Sequence, residues 1–422
     1  MTFSPKNDRR TPALFWPQAR PQAPCTRKFR GRRRFPCDAS GENGFVIPPE
    51  IRYSLGLPAT RPEKNLMQNR LSIPLLLAVL FAWLGASPLA RAQWETKQIN
   101  GRDYVCVDGM KKFYGFDSVK RNGNQFLLDK VVMVKNPKTG EKKNHGVQMK
   151  LVVGSQDCLM NGVKFVFSYA VEENGGRAWM SRIDLTKLVD PVLRPNYIPD
   201  AGNFKTVIID AGHGGKDPGA TNALGTEADY NLDVANRLKK LLSDPKVGYK
   251  VLMTRESDRY LTLQERVQIA NRVNENAIFI SIHHNSGGSA ARGLETFTLS
   301  PIGVAHYGRG LNASDFQMRT GNSHDSGNVA LATAVHGSLL TILKEPKTDK
   351  SYTLDRGIKR ARFSVLTGVK HPAILVECGF MTHNYEARLI ASEGYRNTVA
   401  RGLAAAVVKY SKAVSKAPPA NP

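Results

Sequence analysis

Between residues 206 and 410, short fully apolar runs alternate with stretches whose apolar residues recur at helical spacing, and no other feature constrains the fold as strongly. Val207-Ile208-Ile209 and the runs 251–253, 277–282, 294–299 and 373–376 read as strands. Leu232, Val234, Ala235, Leu238, Leu241 and Leu242 recur as one helical face, and 263–273, 328–343 and 399–410 read as further helices. A strand with no polar position needs cover on both sides. The pattern therefore predicts an α/β domain over residues 198–412, a mostly parallel sheet with helices on both faces.

The segment before it has another texture. Residues 93–197 hold strand-length runs at 104–107, 126–128, 131–134, 147–153 and 163–169, with Asn100-Gly101 and Asn161-Gly162 among them. Asn-Gly marks hairpins because both residues tolerate positive φ. This reads as a small, mainly β domain, with the proline-bearing stretch 194–199 as its linker. The pattern around Asn161-Gly162 and Asp184-Leu185 resembles the copper-amine-oxidase-type N-terminal module of some exported wall proteins. That resemblance implies wall engagement, not copper redox chemistry.

Residues 67–92 carry an export signal: Met67-Gln68-Asn69-Arg70, an apolar run over 71–86, then Ala90-Arg91-Ala92 as a small-x-small cleavage site. The run is shorter than the roughly 20 residues of a membrane span. The expectation is a cleaved signal peptide with no permanent membrane anchor, and a product that is periplasmic or secreted and wall-associated. Ahead of it, residues 1–66 are rich in proline and arginine, with thirteen Lys/Arg against five Asp/Glu and no structural period. They read either as a spurious extension before a true start at Met67 or as a disordered basic tail. Residues 413–422 read as a flexible tail.

The formal charge of +24 calls for an acidic partner. Nucleic acid is excluded as that partner, because no helix-turn-helix or aromatic–basic platform is present and the signal sends the chain out of the cytoplasm. Cys106 and Cys158 either pair in an oxidising compartment or stand as two buried thiols; Cys378 reads as a packed hydrophobe.

Three apolar strands end in polar residues. The first enters Asp210-Ala211-Gly212-His213-Gly214-Gly215, the third ends Ser281-Ile282-His283-His284-Asn285, and the last ends Val376-Glu377-Cys378-Gly379-Phe380. Sites in open α/β sheets form beyond the carboxyl ends of strands, so His213, His283 and Glu377 should be neighbours. Glu227 follows a glycine-rich loop and can fold back to the same edge. Two imidazoles, one carboxylate and an open position make up a common catalytic zinc set, so one Zn²⁺ on His213, Glu227 and His283 is expected. Glu377 is left to move the proton of the attacking water. Alternation along the strand puts His283 and His284 on opposite sides, and His283 is taken as the ligand.

The stretches 210–219, Glu227, 281–285 and 376–380, with Met253-Thr254-Arg255, 263–266, Asn328 and Arg356-Gly357, resemble the zinc-dependent N-acetylmuramoyl-L-alanine amidases of the type-3 class over residues 204–411. The likeness implies a phosphorylase/hydrolase-like fold, peptidoglycan as substrate and a possible regulatory activator protein. It also implies cleavage of the bond between N-acetylmuramic acid and L-alanine. It gives the metal to His213, Glu227 and His283 and the acid/base role to Glu377. His284 departs from it, standing where a small residue is usual. The rival readings are a zinc peptidase acting on the stem peptide and a non-catalytic wall-binding protein. The loop 300–327 is expected to line or cover the substrate groove. The run 359–362 should either meet stem-peptide carboxylates or form a solvated face, and Glu295 should be a surface or structural residue.

Overall fold

The computed structural model describes residues 94–135, 142–199, 201–343 and 353–415. The expected extension, the signal segment and residues 416–422 lie outside the described residues. In chain order the first strands are β1 (Thr96–Ile99), β2 (Arg102–Cys106), β3 (Ser118–Asn122), β4 (Gln125–Lys135), β5 (Lys142–Val152), β6 (Asp157–Met160), β7 (Val163–Val166), β8 (Glu172–Asn174) and β9 (Arg177–Ser181). After them come β10 (Thr206–Ala211), β11 (Thr221–Asn222), β12 (Gly225–Thr226), β13 (Lys250–Met253), β14 (Ala277–Asn285), β15 (Leu294–Leu299), β16 (Asp355–Ala361) and β17 (Ala373–Phe380). The main helices are α1 (Asp108–Tyr114), α2 (Glu227–Leu242), α3 (Leu263–Asn271), α4 (Asp325–Ile342), α5 (Ser364–Gly368), α6 (Asn384–Ala391) and α7 (Glu393–Val414).

Eleven strands make one sheet in the order β13-β10-β14-β17-β15-β16-β7-β6-β5-β4-β3. The four strands β13, β10, β14 and β17 are parallel, whereas β15 runs antiparallel to β17 and parallel to β16. Adjacent residues of one strand enter different cores. Val207 and Ile209 join Ile280, Ile282 and Val376 under α2, α4 and α7, while Ile208 joins Phe279 and Leu375 under α3 and α5. Two-sided burial is why these strands carry no polar position until their ends.

The helices start where their caps are. Thr226 accepts from the Asp229 amide at the head of α2, and Thr262 and Glu265 form a reciprocal capping box on α3. The last helix runs to the buried Val414, so residues 413 and 414, expected in a loose tail, belong to α7.

Asn100-Gly101 and Asn161-Gly162 both adopt positive φ between paired strands, as their hairpin reading requires. The expected boundary at 197/198 coincides with no break in the sheet. Strand β16 pairs with β7 through Ile358 opposite Phe165, and one core extends from Phe126 and Leu128 to Val399 and Leu403. The stretch read as a linker is anchored: Arg194 pairs with Asp190 at 2.6 Å and lies over the rings of Phe113 and Tyr197. Cys106 and Cys158 are both free and buried; the first packs with Tyr104 and Trp179, the second in the large core.

A buried carboxylate ties β7 to β9. Asp184 accepts from the amides of Ser168 (2.8 Å) and Tyr169 (3.2 Å) and from the Ser181 hydroxyl (2.6 Å). An amide group there would turn one acceptor oxygen into a donor facing donors. Asp184→Asn is expected to cost about 2 kcal/mol, read as a lower Tm, because hydrogen bonds to charged groups are worth more than neutral ones. An unchanged Tm would show that these bonds do not stabilise the fold.

Candidate metal centre

The site forms where β10, β14 and β17 end. His213 sits in the turn after β10 at φ 61, a left-handed conformation that is uncommon outside glycine and concentrates at functional positions. The turn is held from beneath by two buried arginines. Arg255 donates to the carbonyl oxygens of Ala211 (2.9 Å), Gly212 (2.8 Å) and Ala228 (2.8 Å). Arg266 donates to the carbonyls of Ala211 and His213, each at 2.7 Å, and to Asp210 Oδ1 at 2.8 Å. Asp210 completes the network through the Thr254 and Ser281 hydroxyls, both at 2.7 Å. Burial would raise the Asp210 carboxyl, but Arg266 and these donors outweigh it and hold it below the usual range.

His213 Nδ1 lies 2.9 Å from Asp217 Oδ2, which fixes the ring and leaves Nε2 to face Glu227 Oε1 at 3.2 Å. On the other side His283 Nδ1 approaches the same oxygen at 3.0 Å. One donor atom from each of His213, Glu227 and His283 falls within 4.8 Å of the others. Two donors of one tetrahedral zinc lie roughly 3.4 Å apart, so this trio fits such an ion. The glycines make room for it. A Cβ on Gly219 would stand 2.6 Å from Glu227 Oε2 and 2.7 Å from His213 Cδ2.

Glu227 opens α2 and is almost wholly buried. Its oxygens accept from the amides of Ala220 (3.0 Å) and His284 (3.2 Å) and from Asn231 (3.3 Å). Burial would raise this carboxyl; the hydrogen bonds to His213 and His283 reverse that and hold it well below the ordinary carboxylate range. His284 points to the opposite side. It is fully buried with Nδ1 on Asn231 at 2.8 Å, and burial pushes it down to about 4.

Glu377 lies in direct register with His283 on β14 and with Glu295 on β15. Its Oε2 is buried with no hydrogen-bond partner among the described residues. Burial first, then the Glu227 and Glu295 carboxylates, push its carboxyl well above the usual range. Cys378, next in the chain, packs into the other core, where burial and then Glu377 raise the thiol.

Glu295 is buried beside Glu377, held by Arg356 and by Lys359 Nζ at 2.9 Å. This corrects the solvated-face reading of 359–362: Lys359 and Arg360 are buried, the second donating to Thr298 Oγ1 and the Lys187 carbonyl. Removing the Glu295 charge lowers repulsion on Glu377 and frees two cations nearby. The Glu295→Gln chain should therefore lose activity at a lower pH than the parent when rates are followed downward in pH. A limb that stays put or moves upward would break this link.

The loop expected over the groove is elsewhere. Because β15 runs antiparallel to β17, it delivers the chain to the sheet edge opposite the His213 and His283 turns. There Asn322 donates to the Ser300 carbonyl, His306 accepts from the Arg362 amide, and His324 meets the Lys370 carbonyl. Asp217, Asn231, Arg255 and Arg266, to which sequence reading gave no role, hold the side chains and backbone of this site. A charged residue placed directly after a two-sided apolar strand, as in Met253-Thr254-Arg255, was the available signal.

Fold and donor set first define a class, an α/β enzyme with a His–Glu–His site able to hold a metal ion. A family model described as N-acetylmuramoyl-L-alanine amidase matches residues 207–409. The uncharacterized protein YqiI of Bacillus subtilis is 32% identical over 206 residues, which cover 49% of this chain and 84% of that one. The chain belongs to the N-acetylmuramoyl-L-alanine amidase family. It is also similar to amidase AmiC of Neisseria meningitidis, 30% identical over 50% of this chain and 53% of that protein, about half its length. Among solved structures, amidase AmiC2 of Nostoc punctiforme is 33% identical with a TM-score of 0.39, covering 50% of this chain and 99% of that one.

Proposed function

We propose that this chain hydrolyses the amide bond between N-acetylmuramic acid and L-alanine in peptidoglycan, with one Zn²⁺ held by His213, Glu227 and His283. The observation that carries it is a compact His–Glu–His donor set with Glu377, whose buried Oε2 has no hydrogen-bond partner among the described residues, in register beside it. Zinc in such a site supplies Lewis-acid polarisation and an acidified water.

The remaining work falls to the chain. Glu377 takes a proton from the attacking water as its oxygen bonds to the lactyl carbonyl carbon. When the carbon–nitrogen bond breaks, the same carboxyl delivers that proton to the departing L-alanine nitrogen. A raised proton affinity suits it to the second step. Asp217 keeps the His213 ring turned, and the Arg255 and Arg266 clamps hold the backbone that carries it. Cys378 takes no part.

Wall cleavage would take place outside the cytoplasm, as the export signal expected at 67–92 also implies. No helix among the described residues is long and apolar enough to cross a membrane.

Chelation is expected to abolish release of peptide from purified muropeptides, and about one equivalent of Zn²⁺ to restore it. The product should bear a free lactyl carboxyl on muramic acid. New ends within the stem peptide would instead identify a peptidase, and full activity in metal-stripped protein would end the zinc assignment.

A further inference from the structure

The cross-strand row that holds His283 and Glu377 does not stop at the catalytic strands. His283 pairs with Glu377 and Glu377 with Glu295; the bulged step onto β16 brings Arg356 and Gly357 opposite Glu295. From there Ile358 opposite Phe165 sets Gly357 against Lys164. Lys164 then pairs with Leu159, Leu159 with Lys150, Lys150 with Leu127, and Leu127 with Lys120. Directly paired residues share a face. The intervening residues Phe126, Leu128, Met149, Leu151, Cys158 and Phe165 all enter the large core, so the row occupies the other face. There Lys120 and Leu159 are exposed, and Leu127, Lys150 and Lys164 are half-buried.

We propose that this row of alternating lysines and leucines, on the face that carries Glu377, is a docking platform for the carboxylate-bearing peptide portion of the same peptidoglycan whose amide is cut. The inference rests on the amidase reading for the identity of the polymer. Three features of this face select that occupant. The platform is continuous, strand by strand, with the proposed catalytic residues. Its cations stand on alternate strands, roughly 10 Å apart, with an apolar side chain between them, matching a chain of spaced carboxylates and small apolar groups. From His283 to Lys120 there are eight strand steps, roughly 38 Å along the sheet, which suits a polymer and exceeds any single stem fragment near the metal. Lys164 is paired with Asp157 at 2.7 Å, so an arriving carboxylate competes there, whereas Lys120 and Lys150 make the primary contacts.

The test uses the full chain carrying Glu377→Gln, so that binding is read without cleavage, and sedimentation with sacculi freed of accessory anionic polymers. Lys120→Glu with Lys150→Glu should weaken sedimentation about tenfold. Lys240→Glu with Lys246→Glu, the same change in net charge made on and just after α2, should leave it as in the parent. Sacculi with amidated carboxyl groups should bind the parent as weakly as native sacculi bind the platform variant. Equal losses in both double variants, or none in the first, would overturn the platform. So would parent binding that is indifferent to amidation, or that disappears once the accessory polymers are removed. The amidase reading fails separately, when the Glu377-bearing chain releases no free lactyl-muramic acid from muropeptides, and the binding result does not depend on that assay.

Discussion

Replacing Glu377 with glutamine is expected to lower kcat on muropeptides by about two to four orders of magnitude, the usual contribution of a positioned acid/base. Zinc content should remain that of the parent. The two readouts together are what make the prediction sharp. Glutamine keeps the length and shape of the side chain in β17, and Glu377 is not one of the three donors, so the metal trio has no reason to move. The amide also suits the location, since it carries no charge for burial and the two nearby carboxylates to oppose. The folded chain should therefore tolerate it, with a Tm equal to or above that of the parent. What the amide cannot do is accept and return a proton. Near-normal turnover would remove Glu377 from the chemistry, and loss of zinc would make it a ligand.

The parts of this structure that could be read in the sequence are those in which one physical requirement dominates. Val207–Ile209 lies between two hydrophobic cores, so only apolar residues serve, and its strand is evident. His213, His283 and Glu377 follow such strands directly, which makes them conspicuous as polar residues at a fixed edge. Strand β16 shows the opposite. Asp355-Arg-Gly-Ile-Lys-Arg-Ala361 has the composition of a charged loop, and it pairs as a strand because Glu295, Asp184 and His336 lie near its cations and its aspartate. Those partners stand far away in sequence, so no local pattern announces them. The antiparallel β15 hid the placement of the long loop in the same way, since strand direction is set by pairing and not by composition. The continuous sheet through Ile358 and Phe165 escaped notice because a single pair of residues makes the junction.

The second large effect concerns a residue with no side chain. In Gly212→Ala, the new Cβ would lie 2.2 Å from Cε1, 2.4 Å from Nε2 and 2.6 Å from Nδ1 of His283, closer than atoms can approach, so ring or backbone must move. The backbone is pinned. Gly212 donates its amide to the Ile282 carbonyl at 3.1 Å, and its own carbonyl accepts from Arg255 and from Asn231. The imidazole is the softer element, held at its Nδ1 by Glu227, and should swing out of the donor set. Zinc affinity is expected to fall about 100-fold or more, with activity lost in parallel, while the far-UV spectrum and Tm stay close to those of the parent. Isothermal titration with Zn²⁺ checks it. If the variant binds one zinc as tightly as the parent, the ring that a methyl group displaces is not a ligand. Ligation would then have to come from elsewhere, and the adjacent imidazole is a poor substitute. His284 is fully buried on the other side of the strand, with Nδ1 already bound to Asn231, and reaching the ion would require β14 to turn over at its end.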